Sequence, residues 1–260
     1  MLTSSHAITR TGLDAVALKP TECDVRRALA VPLDTVTIDY EGREHLPDEK
    51  TLAELADETN LRLTVPVRAD GFDPLGDDSL FDRIPENAGH VLVAGHPAYL
   101  SENERTRAIA PRLGTALDRE PDAWVGTEGV ERIATATGAT QFELLSRSTD
   151  RQLRALRAAG FEGTIAVYAP TVLEEDEDVI LDAVGEYVSR RKPVARALPD
   201  GAASDARATG RAREVLSTAS RDFALVGSGD EVSERVAELK AAGANLVVGY
   251  PARGIDPFLD

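Results

Sequence analysis

The chain has 260 residues, of which 42 % are hydrophobic and 28 % are charged, as in an ordinary soluble globular protein. Its 45 acidic residues exceed its 29 basic ones, which gives a formal net charge of −16. This excess argues against nucleic acid as a partner, because the phosphate backbone would be repelled and no basic stripe is present.

Short apolar runs that alternate with amphipathic stretches predict eight β-strands. The runs lie at 14–18, 35–39, 61–65, 90–94, 123–125, 141–145, 163–168 and 245–249. A further run at 223–226 is interpreted as a strand-like connector. Strands that alternate with helices are typical of a mostly parallel sheet with covered faces. Eight repeats predict an α/β fold of the (β/α)8 TIM-type barrel, truncated or irregular in part, as one domain over 1–260. A doubly wound open sheet is the alternative.

Helices between these runs have readable ends. Asp48 opens one helix, the 149–160 stretch ends at Gly160, and the stretches 176–191 and 229–242 carry apolar residues at helical spacing. Two segments interrupt the rhythm. We expect 70–87 to be a long loop and 199–210 to be a mobile connection.

The acid excess has two explanations. It is either a solvated surface that keeps the protein soluble or an adaptation to molar salt, where screening shortens charge repulsion to about 3 Å. Lysine occurs only at positions 19, 50, 192 and 240, so arginine supplies the other cations. Few lysines with many acids favour the halophilic explanation, and we expect a protein that unfolds as salt is removed.

Targeting signals are absent from the pattern. The single Cys23 excludes an internal disulfide and fits a reducing compartment. The first ten residues lack the features of a signal peptide, and no apolar run is long enough to cross a membrane. We therefore expect a cytoplasmic protein without a membrane partner.

Residues at the carboxyl ends of the predicted strands are the candidate site, because barrels place ligands there. They form a polar rim of mixed charge that includes Lys19, Arg68, His96, Tyr99, Glu128, Tyr168, Tyr250 and Arg253. His96 is the strongest candidate for acid–base work, although a His between Gly95 and Pro97 is also typical of a loop cap.

Two further patterns concern anions and metals. Gly227, Ser228 and Gly229 precede a helix, so either their backbone N–H groups cradle a phosphate or Ser228 or Asp230 simply caps the helix. The acidic run at 174–178 also precedes a helix, where acids stabilise the helix dipole. Neither the acids nor the histidines have the spacing of a metal site, so we predict none.

The last hundred residues resemble the luciferase-like superfamily of flavin- or F420-dependent barrels, which includes archaeal methylene-tetrahydromethanopterin reductases. Three stretches carry the resemblance: 153–170, with "AAGF" running into "GTIAVYAP"; the acidic helix 176–187; and 225–248, with "VGSGDEV" and "AAGANLVV". The match is shortened and divergent, and with the acid excess it leads us to expect a haloarchaeal source. The first 150 residues share only the strand–helix rhythm.

The resemblance implies a cytoplasmic barrel that binds F420 or FMN and transfers a hydride to or from a small substrate. His96, Tyr99 and Glu128 would contact the ring or relay a proton. The cofactor would be held by Lys19, Arg68, Tyr168, Gly227, Ser228, Gly229, Tyr250 and Arg253. Dimers are common in the resembled family, so a homodimer is one expected assembly.

Two other functions stay open. The short length fits a degenerate member of the superfamily that binds a ligand or regulates a partner without catalysis. A phosphate-binding barrel of the aldolase or isomerase type is the third reading, with Lys19 or Glu128 as its base.

Overall fold

The computed structural model describes residues 7–67, 83–96, 100 and 102–259. Its described part contains nine β-strands. They are β1 (Ala15–Leu18), β2 (Thr35–Ile38), β3 (Asn60–Pro66), β4 (Gly89–Val93), β5 (Trp124–Gly126), β6 (Gln141–Leu144), β7 (Ile165–Val172), β8 (Leu225–Val226) and β9 (Leu246–Pro251). All eight predicted strands are confirmed, and the 223–226 connector contains a two-residue strand of its own.

The strands form one sheet in the order β6-β5-β4-β3-β2-β1-β9-β7-β8, and an additional pairing of β6 with β7 closes it. Register is parallel where consecutive strands meet: Val16 lies beside Val36, and Val36 lies beside Leu61. Buried runs of this kind are the pattern expected when helices cover a parallel sheet. The predicted (β/α)8 barrel is thereby confirmed, and the open doubly wound sheet is excluded.

Helices of the described residues follow the strands along the chain. They are α1 (Glu49–Glu58), α2 (Glu102–Arg105), α3 (Ile109–Arg119), α4 (Glu131–Ala136), α5 (Thr149–Ala158), α6 (Glu177–Ser189), α7 (Lys192–Ala195), α8 (Gly210–Phe223), α9 (Gly229–Ala242) and α10 (Asp256–Leu259). Short 3₁₀ helices lie at Ala7–Arg10, Val25–Ala30 and Arg43–His45. Within the described ranges, no helix has the length and apolar character needed to span a membrane.

Helix ends follow the predicted capping chemistry. The Asp48 carboxylate accepts from Thr51 N at 2.7 Å at the start of α1. Asp176 does the same for Asp178 N at 2.9 Å, so the acidic run at 174–178 includes the cap of α6. Gly160 follows α5 with a φ of +85°, a left-handed conformation that favours glycine.

The chain divides into two compact units. Unit 1 consists of Met1–Asp14, Leu145–Gly160 and Tyr168–Asp260, and unit 2 of Ala15–Leu144 and Phe161–Val167. Unit 2 has a core in which Leu92 and Val125 of the sheet pack with Leu113 of α3. In unit 1, Leu181 of α6 packs with Leu216 and Phe223 of α8.

The 199–210 segment is tied to α6 rather than extended into solvent. The Asp182 carboxylate accepts from Ala206 N at 2.9 Å, and a Cβ placed on Gly185 of α6 would overlap the carbonyl oxygen of Ser204. These contacts hold the segment against the helix, so the expected mobile connection is not supported. The long loop expected at 70–87 lies outside the described residues as far as position 82.

Gly185→Ala is expected to lower the free energy of unfolding by about 1–3 kcal/mol, because backbone must move to admit the new methyl group. The matched control is Gly114→Ala in α3, where no atom lies within 4 Å of the added Cβ. That change should raise the free energy of unfolding by about 0.4–1 kcal/mol. Denaturant titration of both variants checks the pair, and equal effects would contradict the close contact at Gly185.

Candidate active site

Glu128 lies in a tight turn between β5 and α4. Val130 N donates to Thr127 O at 2.9 Å, and Gly129 has a φ of +74° at the third turn position. This φ is the value that a type II turn requires there, and glycine adopts it without strain. Thr127 N also donates to Phe142 O at 3.0 Å, which anchors the turn to β6. The turn therefore presents Glu128 from a fixed backbone.

His96 faces Glu128 across the ends of two paired strands. Leu92 of β4 lies beside Val125 of β5 in parallel register, so both strands end at the same edge of the sheet. His96 Nε2 is 3.5 Å from Glu128 Oε2, and each side chain is 37 % exposed. An imidazole beside a carboxylate, reachable from solvent, can hold and move a proton.

The backbone under this pair is closely packed. A Cβ on Gly95 would overlap the carbonyl oxygen of Glu128 and would lie 2.7 Å from Val130 Cγ1. Arg112 of α3 is only 6 % exposed, and its Nη2 donates to Ala94 O at 3.0 Å. Arg112 is not among the candidate residues predicted from the sequence. The sequence pattern could have indicated it. Positions 109, 112, 113 and 116 share one helix face, and the residues at the other three positions are apolar.

Lys19 is the other described candidate in unit 2. It follows β1, and its Nζ lies 3.4 Å from Glu22 Oε1 on a partly exposed surface. Nearby, the Glu41 carboxylate accepts from both Thr21 N and Thr21 Oγ1. The candidates Arg68 and Tyr99 lie outside the described residues.

In unit 1, the rings of Tyr168 and Tyr250 stack with centroids 6.2 Å apart and planes 10° apart. Both residues are buried, at 7 % and 8 % exposure. Tyr168 was predicted at a strand end, but β7 continues to Val172 and places it mid-strand. Tyr250 lies one residue before the end of β9.

The glycine-rich turn at 227–229 is a helix cap. Ser228 Oγ accepts from Glu231 N at 3.3 Å, while the Glu231 carboxylate accepts from Ser228 N at 2.8 Å. These bonds form a capping box, and they lower the pKa of Glu231, with the backbone bond from Ser228 as the main cause. A carboxylate of the chain thus already accepts from the Ser228 N–H that a phosphate would need.

Arg253 follows β9, and its Nη1 donates to Glu174 Oε1 at 2.7 Å. Both side chains are partly exposed. Like Lys19, Arg253 forms an ion pair with an acidic residue of its own unit. One member of the 174–178 run thereby pairs with a predicted cofactor-binding residue.

His90 near the start of β4 belongs to a different environment from His96. Its Nδ1 lies 3.2 Å from Glu120 Oε2, and the side chain is buried. Burial lowers the pKa of His90, against the opposing effect of Glu120. Among the residues described, no group of three or more His, Cys, Asp or Glu side chains could hold a metal ion.

Unit 1 also carries a groove of about 440 Å³ between α7 and α8. Its apolar wall includes Val194, Val215 and Phe223. On its rim, Arg211 pairs with Glu214 at 3.5 Å. The groove therefore offers a mixed surface without a preferred charge.

Comparison with solved structures shows what this fold resembles. An F420-dependent secondary alcohol dehydrogenase, solved in complex with an F420–acetone adduct, is 12 % identical, with 95 % of each chain covered and a TM-score of 0.56. The monooxygenase RslO1 from Streptomyces bottropensis is 17 % identical over 91 % of each chain, with a TM-score of 0.48. At 12 % identity, the first match shows a shared fold.

No curated protein matches the chain. The sequence model of the family of unknown function DUF7388 matches residues 8–258, which is nearly the whole length. The chain belongs to the DUF7388 family.

Proposed function

We propose that the protein is an oxidoreductase that binds F420 or FMN and transfers a hydride between that cofactor and a small alcohol or carbonyl compound. His96 and Glu128 are its proton-handling residues. The observation that carries the proposal is their 3.5 Å pairing at the carboxyl ends of two adjacent parallel strands. In α/β barrels, this edge of the sheet is where catalytic groups lie.

The chemistry of the two side chains fits the proposed reaction. When an alcohol is oxidised, a hydride leaves carbon and a proton leaves oxygen, and the reverse reaction returns both. The cofactor supplies the hydride acceptor or donor. His96 Nδ1 accepts the hydroxyl proton, and the Glu128 carboxylate, which lies 3.5 Å from Nε2, orients the imidazole and stabilises its charged form.

Anion-binding residues fit the cofactor less well than the proton-handling pair. Lys19 pairs with Glu22, Arg253 pairs with Glu174, and Ser228 N donates to Glu231. We therefore assign no phosphate contact to these three residues, and the proposal depends on His96 and Glu128.

Turnover under anaerobic conditions tests the proposal. The purified protein in about 1 M KCl, where surface charges are screened within about 3 Å, is mixed with oxidised F420 or FMN and a panel of secondary alcohols. The fold neighbour's description as a secondary alcohol dehydrogenase makes these the first substrates to try. Bleaching of the oxidised cofactor above the protein-free rate supports the proposal. The proposal would be contradicted if the protein bound the cofactor but no alcohol bleached its oxidised form and no matching ketone reoxidised its reduced form.

A non-catalytic binding protein is the second candidate. The pairing of Lys19, Arg253 and Ser228 with acids of the chain favours it, because a cofactor-binding enzyme would be expected to keep some of these donors available. It predicts ligand binding without turnover, and the same assay separates the two functions.

A further inference from the structure

We infer that Arg112 is a positioning residue that sets the geometry of the His96–Glu128 pair. Its catalytic meaning rests on the proposed function, whereas its structural effect on His96 does not. Arg112 carries a charge at a position where the helix pattern calls for an apolar residue. Arg112 lies on the buried face of α3, beside Leu113 and one turn before Ala116.

A buried guanidinium destabilises a core unless hydrogen bonds compensate it. Leu113 and Ala116 of α3 and Ala94 after β4 belong to one apolar cluster. An apolar side chain of similar volume would fill such a position at lower desolvation cost. We therefore explain the charge by the hydrogen bond that the Arg112 side chain makes, not by packing.

What it holds is the end of β4. Arg112 Nη2 donates to Ala94 O at 3.0 Å, and Ala94 is two residues before His96. A hydrogen bond from a charged donor is stronger than one between neutral groups, so it fixes this carbonyl firmly. The peptide that follows leads directly to Gly95 and His96.

Gly95 transmits this constraint to the neighbouring loop. The absence of a side chain lets its backbone lie against the carbonyl of Glu128, and a Cβ on Gly129 would lie 3.5 Å from Gly95 O. The two loops therefore pack backbone to backbone. Arg112 holds one loop, and the type II turn holds the other. Together they fix the backbone positions from which His96 and Glu128 come within 3.5 Å of each other.

Arg112→Met tests the inference, because methionine keeps much of the volume and removes the charge and the donors. The ¹H–¹⁵N correlations of the imidazole rings report on His96, and they are assigned with His96→Gln. We expect the His96 signals to move in Arg112→Met, while circular dichroism stays native. Arg112→Lys, which retains a charged donor, should restore the signals in part, and the exposed control Arg154→Met should leave them unchanged.

If turnover is detected, Arg112→Met should lower kcat by about 10- to 100-fold with little change in KM, as expected when a reacting group is misplaced by about 1 Å. Native His96 signals in a folded Arg112→Met protein would overturn the inference, whether or not turnover is found. If Arg112→Met does not fold, Arg112→Gln takes its place. Failure of both to fold would make Arg112 a structural residue and would also overturn the inference.

Discussion

His96→Gln is expected to lower kcat by about 100-fold or more, while the affinity for the cofactor changes little. The size of this decrease in kcat follows from the contribution of a positioned general acid or base to the rate, which is about 10²–10⁴-fold. Glutamine keeps a polar side chain but cannot accept and return a proton at physiological pH. Steady-state kinetics with the alcohol and cofactor that turn over measures the effect.

Glu128→Gln and the double variant complete this test. Because Glu128 acts through His96, the double variant should be no slower than His96→Gln alone, as groups that act as a unit are not additive. His45→Gln is the matched control, since His45 is also half-exposed and lies 3.8 Å from Glu44. An unchanged kcat in His96→Gln, or an equal loss in His45→Gln, would rule out His96 as the proton carrier.

Lowering KCl from about 1 M to about 0.1 M is expected to reduce the Tm by at least about 10 °C. The screening length grows from about 3 Å to about 10 Å over this range, so acids of a chain with net charge −16 begin to repel one another. Ion pairs oppose this change only weakly. Pairs such as Arg235–Asp150, 3.0 Å apart, are worth about 0–1 kcal/mol each, so their strengthening at low salt offsets little of the repulsion. For a chain of this size, 10 °C corresponds to roughly 3–5 kcal/mol.

Thermal melts followed by circular dichroism over a KCl series measure this dependence. Sorbitol at matched osmolality is the control, because it stabilises proteins without screening charge. A Tm that does not change with KCl, or that sorbitol raises as much as KCl does, would contradict a salt requirement and leave the acids as an ordinary solvated surface.

The strands could be predicted because they are short, apolar and separated by readable helix ends. The length of β7 was harder to predict, because the strand runs through Pro170 to Val172 and proline is rare in strand interiors. Helix α8 was not predicted. Its buried residues Ala212, Leu216, Ala219 and Phe223 recur at helical spacing, so the pattern is present, but two of the four are alanines rather than large apolar residues.

The candidate site was predictable where a strand end alone determines position. His96 and Glu128 follow adjacent strands, and the barrel brings them together as that rule implies. The ion pair between Glu174 and Arg253 could not be predicted, because the two residues are far apart in the sequence. At Ser228, the capping box and the phosphate cradle use the same residue types, and only the Glu231 contact distinguishes them.

Titration of the protein with F420, and separately with FMN, tests whether the chain binds a flavin-type cofactor. The cofactor's own fluorescence is followed in about 1 M KCl, where the acidic surface is screened. We expect saturable quenching at one equivalent per chain for at least one of the two cofactors, and His96→Gln should retain that binding. If folded protein quenches neither cofactor, the chain is not a flavin- or F420-dependent oxidoreductase, whatever its barrel resembles.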